Sequence, residues 1–180
     1  MLGKFLAVGV VAAAHLTTVL AQAKTYKTSA GIFEISPKGG DGNCKALLSG
    51  KLVKSFECVY SYTPNVIAHY TNGIGKLADV VVIQESPMGN ACNGGPLHVL
   101  GIDKSGAFKI TDPIDFCGGR DPVIEKRGTK VRITFPAGPP NRGSGYIPSV
   151  VWEYSEGVLN EIKEAPNRAL QPTLSFPQIS

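Results

Sequence analysis

Few side chains in this sequence are of a kind that makes or breaks bonds, and their spacing limits what they could do. His98 and Asp112 form the leading pair. If Lys104-Ser105-Gly106 closes a three-residue hairpin, Asp103 faces Ala107, Ile102 meets Phe108, Leu100 meets Ile110, and His98 meets Asp112. An imidazole held by a carboxylate is half of a catalytic relay or of a metal site. It is equally a satisfied polar contact at the end of a sheet. A nucleophile is harder to find, because serine or cysteine needs a histidine base oriented by a third group. Beyond residue 23 the chain has only His69 and His98 and no G-x-S-x-G. Cys92 lies in the glycine-rich run Asn90-Ala91-Cys92-Asn93-Gly94-Gly95, but a disulfide accounts for it better than a nucleophile loop.

Metal chemistry is no better supported. Asp103, Asp112, Asp115 and Asp121 gather around the second cysteine pair without the regular spacing of a calcium loop. Asp41-Gly42-Asn43 begins like one, but Lys45 stands where a third oxygen ligand belongs. Zinc sites favour close cysteine pairs, and no C-x-x-C is present. The sequence indicates no metal site, no cofactor and no designated catalytic residue.

The first 23 residues have a separate purpose. Lys4 gives a positive start, Phe5 to Leu20 is mostly apolar, and Ala21-Gln22-Ala23 is a small-x-small cleavage site, the pattern of a secretory signal peptide. The apolar run is short for a membrane span and is interrupted by His15, Thr17 and Thr18. Cleavage after Ala23 would leave no stable membrane insertion and a secreted or periplasmic chain. Residues 24–164 suit a single β domain, and 165–180, with three prolines, suit an extended or disordered tail.

Export gives the cysteines their meaning. Cys44, Cys58, Cys92 and Cys117 are an even set, which predicts two disulfides in an oxidising compartment. Three connectivities are open, and the sequential one, Cys44–Cys58 with Cys92–Cys117, fits the hairpins best. If Cys44 faces Cys58, then Cys44, Ala46, Leu48, Phe56 and Cys58 share one face, and the loop falls at Gly50-Lys51-Leu52.

The elements that position these residues are strands. The chain holds 21 glycines and 13 prolines, spread among short runs rich in β-branched residues, which predicts an all-β domain with many turns. Antiparallel hairpins and meanders should build a small sandwich or barrel. Gly31–Ile35 reads as a first strand, Val59–Tyr62 as a strand halted by Pro64, and Val66–Tyr70 as another. The near-continuous apolar run Ala-Asp-Val-Val-Val-Ile within 77–84 reads as a strand covered on both faces. Two later hairpins follow. An Arg127-Gly128 loop sets Ile124 against Val131, and a Ser155-Glu156-Gly157 loop sets Tyr154 against Val158.

With chemistry thinly represented, binding is the stronger expectation. The Pro136–Pro148 segment is too rich in proline and glycine to pair, and long loops often carry function. Within it Asn141, Arg142 and Tyr146 can project toward a partner. Trp152 and Tyr154 alternate onto one face beside it, as do Tyr60 and Tyr62 elsewhere. The partner would be a protein or a cell-wall glycan, bound or inhibited outside the cytoplasm. An envelope hydrolase using His98 and nearby carboxylates is the alternative. The formal charge of +4 lacks the Lys/Arg density of a nucleic-acid footprint.

Asn90-Ala91-Cys92, Val99–Asp103, Gly106 and Asp112–Cys117 together resemble a group of uncharacterised exported bacterial proteins with a central disulfide-linked hairpin. The resemblance spans about a quarter of the chain and implies a periplasmic β domain without a catalytic residue. A looser likeness, in size, export and strand content, is to periplasmic lysozyme inhibitors. No inhibitory motif is matched, and a basic chain complements a basic lysozyme poorly.

Overall fold

In the computed structural model, which describes residues 23–89, 92 and 94–163, every regular element is a strand. The strands form three four-stranded antiparallel meanders. The first holds β1 (Lys24–Thr28), β2 (Gly31–Ser36), β3 (Asn43–Leu48) and β4 (Lys51–Glu57). The second holds β5 (Ser61–Ile74), β6 (Leu77–Pro87), β7 (Leu97–Asp103) and β8 (Phe108–Ile110). The third holds β9 (Val123–Arg127), β10 (Lys130–Phe135), β11 (Val150–Ser155) and β12 (Val158–Ile162). The sheets do not close into a barrel.

Period two explains the stacking. Along β6, Val81 and Ile83 face the first sheet and join a core with Phe33, Ile35, Leu48 and Phe56. Val80 and Val82 face the other way, into a core with Val131, Ile133, Phe135 and Tyr154 of the third sheet. The second sheet is therefore the middle layer of a three-layer sandwich. This is why its central strands read as an unbroken apolar run, whereas β10, at the outside of the stack, alternates buried with half-buried residues.

Both disulfides have the sequential pairing, Cys44–Cys58 and Cys92–Cys117. The first is enclosed in the core between sheets one and two. Two disulfides fit an oxidising environment. Among the described residues no helix is long and apolar enough to cross a membrane. The expected signal peptide, apart from Ala23, and the expected tail lie outside the described residues.

Several registers differ from the sequence reading, each for a local reason. The hairpins of β3–β4 and β11–β12 close in two residues instead of three. Ser49 and Gly50 have φ of 48° and 79°, and Glu156 and Gly157 have 49° and 86°. Left-handed pairs of this kind match the strand twist. Tyr154 therefore faces Leu159, and Val158 turns out to solvent. Cys44 faces Phe56, with a register shift between Ala46 and Leu47, and Cys58 lies beyond the strand, its N–H bonded to Gly42. The β9–β10 turn is Gly128-Thr129, so Ile124 faces Ile133. A two-residue offset preserves the faces, and Ile124 still packs on the core. Pro64 does not end a strand. It falls at a register shift between Tyr62 and Asn65 on β5, an edge strand, where its missing donor is tolerated.

Tyr154 is wholly buried, and its hydroxyl makes no hydrogen bond among the described residues. Burial pushes its pKa up to about 12. The folded state then holds this proton more tightly than the unfolded chain, so stability is intact below pH 10 and falls as pH rises through 12. Alkaline unfolding should show a loss of about 3 kcal/mol over that window. Tyr70, also raised by burial, adds a smaller slope. Tyr154→Phe should flatten most of the curve in urea titrations between pH 9 and 12; an unchanged slope would place the linked proton elsewhere.

Candidate functional site

The inward face of β6 presents Asp79, Val81, Ile83 and Glu85 toward the first sheet, an apolar centre with a carboxylate at each end. Each carboxylate holds a histidine. His98 Nε2 lies 2.7 Å from Glu85 Oε1, and its ring packs edge-on against Phe56 at 5.5 Å. His69 Nε2 lies 3.0 Å from Asp79 Oδ1. The other Asp79 oxygen accepts from the Ser29 N–H at 2.8 Å and from the Ser29 hydroxyl.

The His98–Asp112 pairing does not form. The ladder reaches only Leu100–Ile110; beyond it Leu97 bridges Ile114, a one-residue slip that follows Asp112-Pro113. Asp112 is exposed, and Glu85 is the carboxylate that meets His98. With 1% of its surface exposed, His98 sits beneath Phe56, out of reach of a substrate. Ser29, Asp79 and His69 have the composition of a hydrolytic triad but the wrong order. The carboxylate stands between the other two, so the hydroxyl donates to Asp79 and not to a histidine base. Sequence reasoning missed Asp79, although an acid inside an apolar run was the available signal.

Two of the carboxylates considered for calcium have local duties. Asp103 accepts from Ser105 N at 2.8 Å, Ser105 Oγ at 2.7 Å and Ala107 N at 3.0 Å, closing the hairpin. The Ser105 hydroxyl bond, with backbone N–H groups of the turn, lowers its pKa. Asp41 pairs with Lys45 at 2.9 Å and caps Asn43, which likewise lowers its pKa. The lysine thus occupies the place a cation would need. No cluster of three metal-ligating side chains occurs among the described residues.

A shallow hollow of about 310 Å³ borders Ser29 and Asp79, but the concavity lined by aromatic side chains lies between the second and third sheets. After β8 the chain runs beside β7, held by Thr111 N to Val99 O at 3.0 Å and the two Leu97–Ile114 bonds. It then meets the Cys92–Cys117 tie. This segment, Pro113 to Arg120, is one wall of a cleft of about 440 Å³. Phe135, Ile147, Val150 and Trp152 form the opposite wall. Phe116 bridges the two, its ring 5.0 Å from that of Phe135. A second hollow of about 410 Å³ shares Trp152 and Pro113 and is bordered by Asp112 and Leu159, so the two hollows adjoin at Trp152.

No family model, characterised protein or solved structure matches this chain. The site must be read from its own chemistry.

The Pro136–Pro148 segment closes on itself, contrary to expectation. Gly138 and Ile147 exchange hydrogen bonds of 3.1 and 2.8 Å, pinching off residues 139–146 as an exposed loop. Of the four residues singled out for binding, Trp152 lines the cleft. Tyr146, 73% exposed, adjoins the lining residue Ile147. Asn141 and Arg142 stand at the loop tip, away from the lining. Sequence reasoning missed Phe116, Phe135 and Arg120. The Arg120 side chain lies across Gly138, where an added Cβ would come within 3.1 Å of its Nε.

Proposed function

We propose that this protein is an exported, non-catalytic binding domain that holds an apolar segment of an extracellular or envelope protein in the cleft between Pro113–Arg120 and the Phe135/Val150 end of β10 and β11. The cleft itself carries the reading. Aromatic and aliphatic side chains exposed in a concavity of this size are the usual form of a binding pocket. The N-terminal export pattern and the two disulfides support a role outside the cytoplasm. The buried position of His98 argues against the hydrolase alternative.

Panning a random peptide library against the folded protein tests this reading. Enriched peptides should be rich in apolar residues, and Trp152→Ala, with its thermal transition preserved, should weaken them about 30-fold, the effect of deleting a buried aromatic anchor. Binders indifferent to Trp152 would defeat the assignment of the cleft. A second reading, binding of a wall glycan, has one observation in its favour: Tyr60 and Tyr62 are 77% and 61% exposed, available for stacking on sugars. Enrichment of no peptide, with retention on peptidoglycan that Tyr60→Ala weakens, would move the function there.

A further inference from the structure

We infer that the cleft recognises a chain terminus: the last residue of a partner polypeptide, its apolar side chain against Trp152 and its free α-carboxylate on Arg120. The inference rests on the binding reading above and names its ligand. A volume of about 440 Å³ accommodates one or two apolar side chains rather than a protein face. What distinguishes this pocket from a plain apolar hollow is the charge at its border.

Arg120 makes no hydrogen bond or ion pair among the described residues. Its aliphatic stem is laid on the Gly138 backbone, and Gly138 is fixed by its two bonds to Ile147. The exposed guanidinium is thus placed at the cleft without a neutralising partner among the described residues, although Asp115 lines the same cleft. A planar fork of donors kept in this way matches a carboxylate, which it can bind through two parallel hydrogen bonds. Asp115, also without a partner among the described residues, offers an acceptor for a backbone N–H of the same ligand. An apolar group, an anion and a nearby N–H describe the end of a polypeptide.

Two features favour a polypeptide over a small apolar acid. The second hollow adjoins the cleft at Trp152 and Pro113, which gives the preceding residues a place to lie. The Pro113–Arg120 wall lies outside the named strands, its one bridge being at Ile114, so its backbone is not consumed by a sheet ladder. This is the mode in which terminal carboxylates are captured at irregular backbone.

Trp152 is the single tryptophan of the chain, so its fluorescence reports on the cleft directly. The probes are acetylated hexapeptides ending in Phe, Leu or Val, each as free acid and as C-terminal amide, with N-acetyl-phenylalanine as the small acid. At least one free-acid peptide should change the emission saturably and bind at least tenfold more tightly than its amide. Arg120→Gln should erase that difference by weakening the free acid at least tenfold. N-acetyl-phenylalanine should bind at least tenfold more weakly than the best peptide. Equal binding of acid and amide overturns the inference, as does an acid preference that survives Arg120→Gln. A small acid that binds as tightly as the peptide overturns the polypeptide ligand. If acid and amide bind alike and fluorescently labelled peptide loses both in Trp152→Ala, the cleft remains a binding site and only terminus recognition fails. If no peptide alters Trp152, both fail.

Discussion

Gly101→Ala is expected to destabilise the domain by about 3 kcal/mol, at the upper end for overpacking a core. Gly101 is buried on β7, in the middle sheet, facing the third sheet. A Cβ there would lie 2.1 Å from the Tyr154 hydroxyl oxygen and 3.1 Å from Leu77 Cδ1. Neither neighbour can retreat easily, since Tyr154 is enclosed and Leu77 pairs with Asp103. The clash is chiefly with one oxygen, and that oxygen makes no hydrogen bond among the described residues. Tyr154→Phe should therefore be close to neutral by itself and should recover about 2 kcal/mol in the Gly101→Ala background, a large coupling by double-mutant standards. Urea unfolding of the four proteins with disulfides intact measures this coupling. Additive effects would mean that the alanine is accommodated by a shift of β7 and not resisted by Tyr154.

Asp79→Ala should cost about 3–5 kcal/mol, as expected when one partner of a buried charged network is removed. Asp79 has no exposed surface, and its two oxygens serve three donors: the Ser29 backbone, the Ser29 hydroxyl and His69. Ser29 is in the β1–β2 turn of the first sheet and His69 is on β5 of the second, so this carboxylate joins two layers. The alanine leaves all three donors without an acceptor and opens a cavity. Asp79→Asn retains an acceptor oxygen and should recover part of the loss. His69→Ala removes only a partly exposed partner and should cost about 1 kcal/mol. Chemical denaturation decides the order of these effects. An Asp79→Ala protein within about 1 kcal/mol of wild type would show that water satisfies the three donors instead.

These two positions also show where legibility ended. The run containing Asp79 was recognisable as a strand covered on both faces, because β-branched residues without alternation put apolar side chains on both sides of the pleat, and both sides must then be kept from water. The partner of its one carboxylate was not recognisable, because Ser29 is fifty positions earlier and meets it only through sheet stacking. Gly101 carried no signal at all, as its requirement comes from a tyrosine of another sheet. The Lys104-Ser105-Gly106 hairpin was readable to the residue, since cross-strand apolar pairs and the turn chemistry agreed. Where turn chemistry allowed two or three residues, the register slipped, as at Glu156-Gly157.

The candidate site divides in the same way. Trp152 and the Pro136–Pro148 segment stood out by composition, whereas Phe116, Phe135 and Arg120 did not. His98 was paired with the wrong carboxylate because a one-residue slip at Asp112-Pro113 was invisible. The sequence by itself determined the all-β class, most of the strands and the doubly buried run of β6, and it favoured the sequential disulfides. Each of these depends on period two, turn chemistry or short loop closure, all of which act within about 25 residues. Only the tertiary structure decided which two sheets cover the middle one, that Glu85 rather than Asp112 holds His98, and that a cleft opens beside Trp152. Those features depend on how three sheets stack, and stacking is set by side-chain packing between segments that no local pattern connects.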